Sequence, residues 1–286
     1  MNLKDYFQKA QKENWAIGQF NFSTLEQLKA IIQAGKKLNS PIIIGISEGG
    51  SDFVGLKQAV NLVKSYREEK NPALFLNLDH GRSFDYIKKA IDAGYDYVHF
   101  DGSNLDLTEN IKVSKKVVEY AHKKGVLVEG EFDATAGASK ILGEIPEASQ
   151  KNLTDSQQAY RFSEETQIDS LAVNIGNFHG IEASGKNPII DFSRLEKIKE
   201  QIPDKFLVLH GGSGISDQDI KKLVQSGIVK ININTELRLA YINSLKKVLK
   251  DEPLEITPYK IMPEVISSVQ EVVETKIKIF GSDNKI

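Results

Sequence analysis

The chain has 286 residues, close to the ~250 of one (β/α)8 domain and short for two large domains; its 40% apolar and 27% charged content is ordinary for a globular protein. A formal charge of −2 argues against broad attraction to nucleic acid or an anionic membrane, and the lack of cysteine excludes disulfides, thiolate nucleophiles and Cys-based zinc sites. The opening residues lack the apolar core of a signal peptide and no run reaches the ~18 apolar residues of a membrane span, so a cytoplasmic location is expected.

Short, β-rich apolar runs occur at 15–20, 41–46, 74–78, 97–100, 126–132, 170–175, 206–209 and 230–233. Helical spacing fills the gaps. Leu25, Leu28, Ile31 and Ile32 follow the first run, and Ile111, Val113, Val117, Val118 and Ala121 the fourth. Leu195, Ile198 and Ile202 follow the sixth, and Leu237, Ala240, Leu245 and Val248 the last. Such alternation implies parallel strands with helices outside them, and eight units favour a closed (β/α)8 barrel. An open doubly wound sheet is the rival, but no Gly-x-Gly-x-x-Gly follows the first run. The expectation is one α/β barrel domain over 1–286, with a mobile lid loop at 133–151 and a C-terminal helical extension at 258–280. Val265, Val269 and Val272 lie along one side of that extension.

The unusual chemistry gathers at strand ends. The third run leads into Asp79-His80-Gly81, the fourth into Asp101-Gly102-Ser103, and the fifth contains Glu129-Gly130-Glu131. The sixth leads to Gly176-Asn177-Phe178-His179-Gly180, the seventh to His210-Gly211-Gly212-Ser213-Gly214, and the eighth is Asn232-Ile233-Asn234-Thr235-Glu236. In a (β/α)8 barrel these ends share the face that carries active sites. Of five histidines, His80, His179 and His210 sit at such ends, each followed by glycine, and three imidazoles with an open position suit catalytic Zn2+. The competing reading makes each a hydrogen-bonded core or loop residue. His99 and His122 are read as packed and structural. Asp79 could relay a proton beside the ion, but only if the chain turns after it, because neighbours on a strand face opposite ways. Otherwise it is a helix cap or an orienting carboxylate. Gly211-Gly212-Ser213-Gly214 and Asn232–Thr235 suit an anion, since glycines admit backbone N–H groups and helix N-termini follow.

In order and spacing these motifs resemble the class II, metal-dependent ketose-bisphosphate aldolases, across nearly the whole chain. The resemblance implies that His80, His179 and His210 ligate catalytic Zn2+ and that Asp79 is the acid/base. It also implies that Gly180, Gly211, Gly212, Ser213, Asn232, Ile233, Asn234 and Thr235 bind dihydroxyacetone phosphate. Asp101 and Glu131 match carboxylates that hold a second metal in some members or serve structurally, and a monovalent cation near the phosphate is also implied. The expected reaction is reversible cleavage of a ketose 1,6-bisphosphate, fructose before tagatose, into triose phosphates, by a homodimer or homotetramer. One position departs from the family: Ser139 stands where a lid carboxylate is usual, with Glu144 and Glu147 as distant substitutes. Arg238, Lys140 and Lys151 are candidates for a second phosphate. The rivals are a Schiff-base aldolase using Lys230, and a sugar-phosphate-binding protein that has lost catalysis.

Overall fold

All eight apolar runs become strands. The protein, seen here as a computed structural model describing residues 1–69 and 73–286, has ten strands among those residues. They are β1 (Ile17–Asn21), β2 (Ile42–Ser47), β3 (Leu74–Gly81), β4 (Tyr97–Asp101), β5 (Leu127–Glu131), β6 (Ala136–Leu142), β7 (Ser170–Ala172), β8 (Phe178–Glu182), β9 (Phe206–Leu209) and β10 (Ile228–Ile233). Eight close into a parallel barrel in ring order β1-β10-β9-β7-β5-β4-β3-β2, while β6 and β8 form a separate ribbon. The barrel strands are apolar on the side facing the helices: Ile42, Ile44 and Ile46 of β2 are fully buried in the larger core. Burial on both faces explains the near-continuous hydrophobic runs.

The surrounding helices begin where side chains cap them. Thr24 Oγ1 accepts from the Gln27 N–H (3.4 Å), Ser83 Oγ from Tyr86 (3.2 Å) and Asp106 Oδ1 from Glu109 (3.0 Å). Each such cap is worth about 1 kcal/mol. Helix Leu25–Leu38 ends at Asn39, and helix Phe84–Ala93 at Gly94, both in the left-handed region.

A helix that periodicity did not reveal, Leu3–Glu13, closes the N-terminal end of the barrel. Its buried side, Leu3, Tyr6, Phe7 and Ala10, packs with Trp15, Ile17, Tyr97, Phe206 and Val229 in a second core. The Phe7 ring lies 5.1 Å from that of Phe206 and 5.8 Å from that of Tyr97. The helix Pro258–Phe280 lies against Leu25–Leu38 and Thr235–Asp251. Its buried stripe is Val265, Val269, Val273 and Ile277, so Val273 and not Val272 continues the i, i+4 spacing. No helix among the described residues is long and apolar enough to cross a membrane.

Residues 133–151 are not a structureless loop. They contain β6, paired in parallel with β8, and the short helix Ala148–Lys151. Apolar Ile141 and Leu142, opposite Ile181 and Glu182, give this segment enough strand character to pair.

Candidate active site

Two neighbouring residues of one strand can serve one site only if the backbone turns between them. At His80 it does. Its φ is +53°, and the β3–β4 register shifts between Leu78 and Gly81. A left-handed residue with a side chain costs about 1–2 kcal/mol, and His99 helps hold it by accepting the His80 N–H on Nδ1 at 3.1 Å. The turn sends both Asp79 and His80 into the mouth of the barrel.

The three predicted imidazoles meet there. Ring centroids are 4.7 Å apart for His80 and His210, 5.0 Å for His80 and His179, and 5.8 Å for His179 and His210. Carboxylates behind two of them decide which nitrogens face inward. Asp101 Oδ2 lies 2.9 Å from His80 Nδ1, and Glu129 Oε1 lies 2.6 Å from His210 Nε2. An ionised carboxylate only accepts, so both of those ring nitrogens donate. That leaves lone pairs on His80 Nε2 and His210 Nδ1, which face each other at 3.1 Å. Two acceptors hold that distance only with positive charge between them. Tetrahedral Zn2+ with ~2.0–2.1 Å bonds would set its nitrogens about 3.3 Å apart. The donors present therefore fit a divalent ion, and a backing carboxylate on each imidazole is the usual arrangement around one.

The electrostatics agree. Burial pushes His80 down, but Asp79, the bond to Asp101 and Glu131 outweigh it and raise the imidazole to about 10. Burial, with His80 and His210, drives His179 down to about 3, the neutral form that ligates. Asp79 is 6% exposed and embedded in amides. Its Oδ1 accepts from Gln19 (3.0 Å) and Asn232 (3.1 Å), and its Oδ2 from Asn21 (2.7 Å). Burial works against its charge, yet charge interactions with His80, His210 and Lys230 hold it well below the usual carboxylate range.

Beneath the imidazoles, Glu129 accepts from Lys230 Nζ (2.7 Å) and from the Tyr97 hydroxyl (2.5 Å). Lys230 is fully buried in this pair, so its amine is not free to attack a carbonyl. Glu131 lies 3.0 Å from His99 Nε2 and accepts from Thr135 on its other oxygen. Asp101 and Glu131 thus stand behind His80 and His99, although His80, Asp101 and Glu131 also have the mutual spacing of a metal group. Asp79, His80, His99 and His210 share the mutual spacing of a metal group, which does not include His179, but the Nδ1 lone pair of His99 is taken by the His80 N–H.

The cleft above has a volume of about 440 Å³. Gly180, Gly211, Ser213, Asn232, Asn234 and Thr235 line it, as do Asp79, His80 and His179. Gly212 and Ile233 do not. A Cβ on Gly212 would point at Ile231, and the Ile233 side chain belongs to the core. Gly211 has φ +62°, and a Cβ there would come 2.1 Å from the Phe178 carbonyl, a close approach only glycine permits. The Gly212 N–H donates to the Asn232 carbonyl (3.1 Å), tying the two glycine- and asparagine-rich loops together. The helix Thr235–Asp251 begins at this point, favourable for an anion. Ser139 stands over the cleft with its Oγ 3.3 Å from Asn234 Nδ2, while its carbonyl accepts from Arg238 Nη1 at 3.1 Å. Glu144 and Glu147 do not line the cleft.

Sequence reasoning missed Gln19, Asn21 and the bracing role of Glu129, and favoured a packed role for His99 over a hydrogen bond near the site. Their signal was parity. Gln19 and Asn21, Asn77 and Asp79, His99 and Asp101, Glu129 and Glu131, and Lys230 and Asn232 are polar pairs two residues apart, hence on one face of their strands.

The sequence profile of the class-II fructose-bisphosphate aldolases matches residues 1–285. A fructose-bisphosphate aldolase of Geobacillus stearothermophilus is 35% identical over 291 aligned positions, covering 100% of this chain and 98% of that protein. The crystal structure of the YdjI aldolase of Escherichia coli K12 superposes with a TM-score of 0.84 at 33% identity, covering 99% of this chain and 98% of that one. The fructose-bisphosphate aldolase structure from Campylobacter jejuni gives 0.82 at 21% identity over 99% and 95%, a likeness of fold alone. The chain belongs to the class-II fructose-bisphosphate aldolase family.

Proposed function

We propose that the protein is a zinc-dependent aldolase that reversibly cleaves a ketose 1,6-bisphosphate, fructose 1,6-bisphosphate first, into dihydroxyacetone phosphate and glyceraldehyde 3-phosphate. The observation that carries this is the 3.1 Å approach of His80 Nε2 to His210 Nδ1, beside the cleft that Asp79, His80 and His179 line. The named relative from Geobacillus stearothermophilus favours fructose, and tagatose 1,6-bisphosphate is the alternative.

His80, His179 and His210 would hold the ion, which when bound supplies Lewis acidity worth several kcal/mol at the substrate oxygens. Asp79 takes the proton of the C4 hydroxyl. The O–H pair becomes the aldehyde carbonyl, the C3–C4 pair stays on C3, and C3 then takes up a proton to give dihydroxyacetone phosphate. The amides of Gln19, Asn21 and Asn232 fix both Asp79 oxygens, so little reorganisation accompanies the transfer. The loops Gly211–Ser213 and Asn232–Thr235 seat the phosphate of the triose half, and that remote binding orients the reacting carbons. Asp101, Glu129 and Glu131 serve as braces for the imidazoles.

The test is cleavage of the two bisphosphates side by side, before and after removal of metal and readdition of Zn2+. Metal-independent cleavage, or none of either ketose at full zinc occupancy, would overturn the proposal.

A further inference from the structure

Among the described residues, Arg82 and Arg238 are the arginines lining the cleft, and no lysine lines it. They are differently placed. The Arg238 guanidinium holds the Ser139 carbonyl (3.1 Å), on the same side as the loops assigned to the triose phosphate. Lys140 and Lys151 do not line the cleft, and Lys151 pairs with Glu147 at 2.5 Å. Arg82 has its backbone N–H fixed on Glu48 Oε1 at 2.7 Å, while its guanidinium has no hydrogen-bond or ion-pair partner among the described residues.

Its position in the ring gives that free cation a meaning. Arg82 follows the last residue of β3, and β3 lies four strands from β9 in either direction round the barrel. Arg82 and the loop Gly211–Ser213 therefore stand on opposite walls, with the imidazoles of His80 and His210 between them. The base of Arg82 is rigid: a Cβ on Gly81 would come 2.7 Å from Ile87, 2.9 Å from Leu78 and 3.0 Å from the His99 carbonyl. A ketose whose phosphate is seated beyond β9 and β10, and whose reacting carbons lie beside Asp79, sends its remaining carbons towards the β3 wall.

We propose that Arg82 is a specificity residue that binds an anionic group, phosphate or carboxylate, at the far end of the aldehyde half of the substrate. This rests on the aldolase function proposed above. A guanidinium suits either anion through two parallel N–H donors. Solvent at the cleft mouth weakens the contact, so its loss is expected to cost about 10- to 100-fold in kcat/KM.

The experiment is condensation of dihydroxyacetone phosphate by the zinc-loaded full-length protein with glyceraldehyde 3-phosphate, succinate semialdehyde or neutral glyceraldehyde. Wild type is compared with Arg82→Ala and Arg82→Lys. The preference for an anionic aldehyde over glyceraldehyde should fall about 10- to 100-fold in Arg82→Ala and recover in part in Arg82→Lys. Which aldehyde loses its advantage tells whether phosphate or carboxylate is the group bound. An equal change for all the aldehydes, or none for any, overturns the role of Arg82. Exchange of the dihydroxyacetone phosphate C3 proton with solvent by the wild type needs no aldehyde and tests the aldolase function separately. Exchange without altered preference removes Arg82 alone, and no exchange removes the parent proposal.

Discussion

The two mouths of the barrel are built from the same strands and have opposite chemistry. At the N-terminal end, Tyr6, Phe7, Trp15 and Phe206 form a dry apolar plug under the helix Leu3–Glu13. At the C-terminal end, buried carboxylates, amides and imidazoles crowd together with a left-handed histidine and tight glycine loops. One end supplies stability and the other places charge where water cannot screen it, a division that the fold makes easy because the strands separate the two by their own length. Buried polar groups at the upper end are held by a shared network, with Asp79 and Glu129 each accepting from several neighbours.

That contrast can be broken from either side. The largest effect expected is removal of metal: a chelator should abolish turnover, and Zn2+ should restore it, with metal content read in parallel by mass spectrometry. Turnover that survives complete metal loss would put the chemistry elsewhere. Next, Asp79→Ala should lower kcat by about 10²- to 10⁴-fold with zinc content and melting temperature near those of wild type. A loss of zinc in that variant would instead make Asp79 part of the grip on the ion. Third, Asp101→Ala removes the acceptor behind His80 Nδ1 and should weaken zinc binding by about 10- to 100-fold, measured by competition with a fluorescent chelator. Unchanged affinity would leave Asp101 without a bracing role. The smallest effect on turnover is expected at the other mouth. Phe7→Ala should cost about 3–5 kcal/mol of stability, read from denaturant titration, while kcat of the folded protein stays within about twofold. A large fall in kcat would show that the two mouths are not independent.

The fold was legible because strand runs buried on both faces are long apolar signals, and eight of them alternated with helical periods. The helix Leu3–Glu13 escaped because it is short and carries Lys4, Asp5, Lys9 and Lys12 around a narrow apolar side. Three imidazoles and Asp79 could be listed from their place at strand ends. That Asp79 and His80 could act together depended on the positive φ at His80, which no residue preference forecast, since histidine there needs tertiary support. Gln19 and Asn21 reach Asp79 across the intervening strand β2, which pairs with both β1 and β3, a neighbourhood that the residues of one strand do not reveal. The strand within the lid went unread for a similar reason: β6 finds its partner in β8, about forty residues onward, and pairing at that distance leaves little local trace.

β8 does two jobs at once. It carries His179, and it is the strand on which β6 lies, with Gly137 directly opposite that histidine. Any movement of β6 away from the cleft is therefore transmitted to the backbone that carries His179. On the proposed function, access for the sugar and tenacity for the metal would be a single mechanical coordinate.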